Sequence, residues 1–255
     1  MNQILVTEKL YITPELKRKK KIYKFNFLLS IFLICVLTSL YIYAEYDRNK
    51  SEATSQQILE EISQTLASTV EDTTIARQDV LLVVLNGTDE DYNEIDNNEI
   101  IDITPQAVQA ETKVSASGYK YKTIATIEIP RINVNYGVVQ GETGSVEETD
   151  ALLKMSPVKF HGCEPNQLGN FCIVGHNYRN SKFFSKVKNL VVGDMVKLTD
   201  LTNRTITYEV YDKHTVDPSD TRDTTQLTGG KKEVTLITCT DDSKQRIIVK
   251  CREVK

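Results

Sequence analysis

The 255-residue sequence has no tryptophan, is low in aromatic residues altogether, and contains no CxxC pair. The missing CxxC removes the usual signature of a zinc site or a redox dithiol. Its five cysteines, Cys35, Cys163, Cys172, Cys239 and Cys251, are too sparse for a disulfide scaffold, and their odd number leaves at least one thiol free or paired between chains. No stretch is a Lys/Arg field interleaved with aromatics, so nucleic-acid binding has no support. Long apolar runs are scarce too: one occurs near the N-terminus and no second follows. What is present is charge in blocks. The formal charge of −4 divides into +5 over residues 1–44, −12 over 45–118 and +3 over 119–255. Such blocks mark segments with different tasks.

The apolar run is Phe25 to Tyr43, preceded by Lys17-Arg18-Lys19-Lys20-Lys21. Its 19 residues, at about 1.5 Å rise each, suffice for a hydrocarbon core of about 30 Å, and Tyr23, Tyr41 and Tyr43 stand where interfacial aromatics belong. A cleavable signal peptide would have a shorter apolar stretch and a small-residue A-x-A site. This run ends instead in Tyr-Ile-Tyr-Ala-Glu-Tyr. An uncleaved anchor is expected over 23–44, with a basic tail, 1–22, held in the cytoplasm and the rest exported.

Beyond the anchor, residues 45–118 read as an acidic spacer, partly helical or disordered. Within it Ile58, Ile62, Leu66 and Val70 fall at i, i+4 spacing, which predicts a short amphipathic helix, and Val80–Leu85 forms a short apolar run. From Tyr119 the texture changes. Apolar or alternating runs recur at 124–129, 132–140, 170–176, 194–199, 204–216, 233–239 and 246–254, separated by turn residues such as Asp217-Pro218 and Gly229-Gly230. That spacing predicts an all-β sandwich or barrel over 119–255. Two segments look helical: 145–155, with Ser145 as N-cap and Glu148 completing a capping box, and 181–190.

Three residues at predicted strand ends carry reactive chemistry. Cys239 closes the run Val234–Cys239 before a polar turn, His176 closes Phe171–Gly175, and Arg246 opens the strand seven residues after Cys239. A thiol attacks only as thiolate, which a nearby histidine and a cation favour. A guanidinium also suits the negative charge that develops on an attacked carbonyl oxygen. By position alone, Cys239 fits a reactive thiol and a small core residue equally well.

The residues themselves narrow this. Thr235-Leu236-Ile237-Thr238-Cys239 matches the TLxTC signature of sortases, and Arg246 with its apolar strand matches the arginine of their last strand. Gly169 to Asn177 (GNFCIVGHN) resembles the family's strand ending in the catalytic histidine, and Ala125 to Ile132 (ATIEIPRI) resembles its first strand. The resemblance covers about 119–255 in the expected order. It implies a closed eight-stranded β-barrel with one or two short helices, behind a transmembrane helix and spacer. It also implies a two-step transpeptidation: Cys239 attacks a C-terminal LPXTG-like sorting motif, His176 protonates the leaving amine, and an amine of a peptidoglycan precursor resolves the thioacyl-enzyme. Arg246, with Thr238, would orient the motif and stabilise the oxyanion. The partners implied are surface proteins bearing the motif, a lipid II-like amine and the membrane; no metal or cofactor is called for.

His161 and His214 are lesser candidates for the base, and Asp241 and Asp242 read as a solvated turn after the nucleophile. Cys163 and Cys172 could pair in an exported domain, Cys251 reads as core, and Cys35 lies in the span. The lack of a C-terminal span, of an aromatic lid motif and of a long helical insert between Val216 and Glu233 points to a class A-like or class D-like sortase. Two other readings remain: a non-catalytic exported barrel serving adhesion or sensing, and a different peptidoglycan cysteine transpeptidase, whose S-x-G-C-[IV]-R context is absent here.

Overall fold

The computed structural model describes residues 14–85 and 109–254, in two compact units, 1–49 and 50–255. The Asn/Asp-rich stretch 89–99 lies outside the described residues. Helix α1 runs Pro14–Leu85. In the first unit its apolar side chains, Phe25, Leu28, Phe32 and Leu37 among them, are exposed. It is the one helix among the described residues long and apolar enough to cross a membrane.

Among the described residues the second unit is built on nine strands. β1 (Lys113–Val114) is a two-residue flank on β2 (Lys120–Ile129). β3 (Val134–Gly141), β4 (Val158–His161), β5 (Gly169–Val174), β6 (Met195–Asp200), β7 (Thr205–Val216), β8 (Lys232–Cys239) and β9 (Arg246–Glu253) follow. β2 to β9 lie in the order β2-β3-β4-β5-β8-β9-β7-β6, and β6 pairs back onto β2 from Ala125↔Asp200 to Glu128↔Lys197. The expected eight-stranded barrel therefore closes, leaving no open edge between β6 and β2. Two pairings are parallel, β3 with β4 and β5 with β8. Alternation sends Ile127, Ile129, Phe171, Ile173, Val234, Leu236, Val249 and Cys251 into one buried core.

Helix α2 (Val146–Leu153) starts with half of the expected capping box: Ser145 Oγ accepts the Glu148 N–H at 3.2 Å, but the Ser145 N–H donates to Thr143 Oγ1 and not to Glu148. The Glu148 carboxylate reaches further back than the motif requires. It accepts the N–H groups of Glu142, Thr143 and Gly144, closing the turn after β3. Segment 181–190, expected to be helical, is not an α-helix. Phe183 takes φ 50, and the turn proceeds through i→i+3 bonds, Ser185 to Lys182 and Val187 to Phe184, into a 3-10 turn at Val187–Asn189. Burial of Phe183, Phe184, Val187 and Leu190 outweighs the local helical pattern.

Residues 50–68, expected to be spacer, continue α1 in the second unit and pack on the barrel. Ile58, Ile62 and Leu66 are buried, contributing about 1.5–3 kcal/mol each on area grounds. Ile58 joins Tyr121, Val139, Leu152 and Val158 in a second apolar cluster. Ser55 Oγ lies 3.2 Å from Ser156 Oγ, and Lys113 pairs with Glu61. The i, i+4 spacing thus marks a face that meets β2 and β3.

Candidate active site

Register aligns the three candidate strand ends. β8 and β9 pair Cys239 directly with Arg246. β5 runs parallel to β8 with Val174 opposite Ile237, and the Gly175 N–H continues the ladder to the Ile237 carbonyl at 3.0 Å. One further step brings His176 level with Cys239. Directly opposed residues share a face, with Cβ atoms about 4.5–5.5 Å apart in antiparallel pairs. Cys239 and Arg246 therefore form one row on adjacent strands, and the register of β5, extended past its end at Val174, brings His176 level with them; each of the three is half-buried. The row continues to Val216 on β7.

Alternation also decides which face this is. Val234 and Leu236 belong to the barrel core, so Cys239 points outward; Arg246 and His176 follow by the same parity. Beneath the row on that outer face lie Val174, Ile237, Ile248 and Cys172, a small apolar floor. By the same parity Thr238 faces the other way from Cys239: it is buried, and its hydroxyl donates to the Gly175 carbonyl at 2.8 Å. It acts on the site by tying the ends of β8 and β5 together.

The loop after His176 is fastened to the turn after Cys239. Asn177 Nδ2 donates to the Cys239 carbonyl at 3.0 Å and to Asp241 Oδ1 at 2.9 Å, while its Oδ1 accepts the Arg179 N–H. Lys188 Nζ meets Asp241 at 2.6 Å, and hydrogen bonds from Lys188 and Asn177 hold the Asp241 carboxyl below its ordinary range. Asp241 is thus a brace between the two loops, more than a solvated turn residue. Gly175 is required by close approach: a Cβ there would fall 2.4 Å from Phe184 Cγ. Burial lowers the His176 pKa; nearby Asp150 raises it and Lys154 lowers it, and the net shift is downward.

The other histidines lie off the row. His161 is exposed at the end of β4. His214 sits on β7 opposite Ile248, one row below Arg246, its ring nitrogens each 2.9 Å from a carboxylate, Asp212 and Asp223. Asp223 lies in the β7–β8 connection and also reaches Lys250 at 3.7 Å, while Asn170 Nδ2 donates to the Asp223 and Thr225 carbonyls. These bonds pin the connection over the lower rows of the outer face. All five cysteines are free thiols, so Cys163 and Cys172 are unpaired. Burial pushes the Cys172 thiol up to about 12 and raises Cys251 further, which leaves both inert as nucleophiles. Asn177 and Asp223 gave no sign in the sequence beyond their places, one beside His176 and one in a polar loop.

His214 makes the connection sensitive to pH. Its pKa is raised, first by the bond to Asp223. A folded pKa above the unfolded value of about 6.5 gives stabilisation that is complete below 6.5 and lost as pH rises through the raised value. Amides of 217–231 should therefore exchange faster at alkaline pH than intrinsic chemistry accounts for. His214→Gln should abolish that excess; an identical excess in the variant would refute the assignment.

A family model described as a sortase domain matches residues 127–254. No curated protein matches the chain. Among solved structures, a Clostridium perfringens sortase D5 transpeptidase is 28% identical, with a TM-score of 0.45, over 56% of this chain and 83% of that one. Sortase C-1 from Actinomyces oris is 25% identical (TM-score 0.45; 51% and 73%), and sortase C1 from Streptococcus agalactiae 30% identical (TM-score 0.44; 51% and 67%).

Proposed function

The chain belongs to the sortase family of cysteine transpeptidases, and from that premise we propose that it joins exported proteins bearing a C-terminal LPXTG-like motif to a cell-wall amine. The observation that carries the reading is the direct pairing of Cys239 with Arg246 across β8 and β9, with His176 two residues beyond the end of the adjacent β5.

The Cys239 thiolate attacks the carbonyl carbon of the motif's threonine, and the electron pair of the C=O moves onto oxygen beside the Arg246 guanidinium. Collapse breaks the C–N bond, and imidazolium His176 gives its proton to the departing amine. The resulting thioacyl-enzyme is resolved when His176 takes a proton from the incoming amine as it attacks. A new C–N bond forms and the thiolate leaves. Every atom transferred comes from the two substrates, so the residues named complete the cycle. The apolar segment 23–44 anchors the enzyme with its basic tail, 1–22, inside, which sets the catalytic domain on the side where the cell wall is assembled.

The test uses the full chain in detergent micelles with internally quenched sorting-motif peptides, with and without a small amine. Cleavage alone without amine, a transpeptidation product with it, and an acyl mass increment on the tryptic peptide containing Cys239 are expected. A panel of motifs that yields neither cleavage nor adduct would overturn the proposal.

A further inference from the structure

Tyr136, on β3, connects the helical segment 50–68 to the loop that carries His176. Its hydroxyl lies 3.0 Å from both carboxylate oxygens of Glu52, to which it donates, and it accepts the Phe183 N–H at 3.0 Å. Its ring stacks on Phe183, with centroids 5.1 Å apart and planes 9° from parallel. Phe183 meets Tyr178 edge-on at 5.2 Å, and Tyr178 lies against the His176 imidazole at 5.0 Å. The Phe184 N–H donates to the His176 carbonyl at 3.0 Å. A continuous series of contacts thus runs from a carboxylate on α1 to the imidazole.

The middle of this series is where the chain is least comfortable. Phe183 holds φ 50, a left-handed conformation that a bulky side chain rarely adopts. Such a turn persists only where its surroundings determine it. Here they do so through the Tyr136 hydroxyl on the Phe183 N–H and the two rings on either side. The Tyr136 hydroxyl has one proton, and Glu52 fixes where it points. That leaves a lone pair aimed at Phe183. Glu52 is itself held in place independently of its carboxylate. Ser55 meets Ser156, whose hydroxyl donates to the Gly137 carbonyl at 2.6 Å, and Ile58 packs so closely on Gly137 that a Cβ there would lie 2.9 Å from Ile58 Cγ2. Removing the carboxylate therefore leaves the helix docked.

We propose that Glu52 is a positioning residue for transpeptidation, fixing the orientation of the His176 imidazole through Tyr136, Phe183 and Tyr178. The proposal rests on the reading of His176 as the acid and base. It makes residues 50–68 a working part of the enzyme in addition to a link to the anchor.

The experiment measures kcat, KM and pH–rate profiles for sorting-motif peptide cleavage by the full chain in detergent, with thermal stability recorded for each variant. Glu52→Ala should lower kcat about tenfold, the scale of a slight misplacement of a catalytic group, with KM nearly unchanged. The imidazole limb of its profile should move up in pH as water gains access to His176. Glu52→Gln should keep most of kcat, because its amide oxygen still accepts from Tyr136. Tyr136→Phe keeps the ring and should match Glu52→Ala, and the double variant should be no worse than either single one, the mark of a shared path. Glu60→Ala, on the same helix and bonded to Gln64, should behave as wild type. Should Glu52→Ala fold poorly, Tyr136→Phe decides. The proposal fails if these variants lose only thermal stability, or if their losses multiply in the double variant. A His176→Ala enzyme that keeps its activity would instead defeat the underlying reading, so the two failures are told apart.

Discussion

Cys239→Ala should reduce cleavage and transfer by about three to six powers of ten, the range seen when a covalent nucleophile is removed. No other thiol of the barrel unit can replace it, and Cys35 lies in the apolar run of the first unit. Cys172 and Cys251 are fully buried with raised pKa values, and Cys163, also raised by burial, belongs to the margin of the core. The barrel should survive, because Cys239 lies at the end of β8 and outside the apolar clusters. Cys251→Ala is the contrasting variant. It removes a fully buried sulfur from the core and should lower stability while leaving most of the activity. Two measurements check the pair: peptide turnover, and the melting transition followed by circular dichroism. Substantial turnover by Cys239→Ala with an intact fold would exclude it as the nucleophile. Alkylation by a water-soluble maleimide should also label Cys239 in the folded enzyme and spare Cys172 and Cys251.

The contrast between these cysteines shows what was legible in the sequence. Alternation in Val234–Cys239 and Arg246–Glu253 is enough to name the strands and, given one buried residue, the face of every other. The same alternation puts Thr238 and Cys239 on opposite faces, which the shared motif concealed by suggesting a common task. What alternation does not contain is register. The parallel pairing of β5 with β8 brings His176 level with Cys239 across 63 positions of chain, and no local pattern encodes it. β4 escaped notice because it has only four residues, too few for its apolar–polar alternation to stand out. The misread segment 181–190 has helical composition, but the Tyr136 hydroxyl and the packing of Phe183 and Phe184 choose a left-handed turn for it. Likewise the spacing of Ile58, Ile62 and Leu66 announced an apolar face without saying what covers it. The covering surface is assembled from β2, β3 and α2, distant in sequence. Long-range contacts, which local propensity cannot anticipate, decided each of these cases.

Arg246→Lys should lose about 2–4 kcal/mol of transition-state stabilisation, the scale of one oxyanion donor. Lysine keeps the charge at that position but not the planar fork, which presents several N–H groups at once. Arg246 stands directly opposite Cys239, and one of its nitrogens donates to the Gln245 carbonyl at 3.3 Å. A guanidinium keeps its proton throughout the working range of pH, so Arg246 stabilises charge and transfers none. The variant should therefore be slow at every pH while the shape of its pH–rate profile barely changes. His176→Ala should do the reverse to the shape. Burial holds the His176 pKa below 6.5, so the imidazolium that protonates the leaving amine is lost as pH rises through a value under 6.5, and that limb belongs to His176 alone. Its removal should erase the limb as well as most of the rate. Measuring kcat/KM against pH for the wild type and both variants separates the two roles. An Arg246→Lys enzyme close to wild type, or a His176→Ala profile that keeps both limbs, would mean that the roles are assigned to the wrong residues. His214, one row below Arg246 and already engaged by two carboxylates, would then be the next base to test.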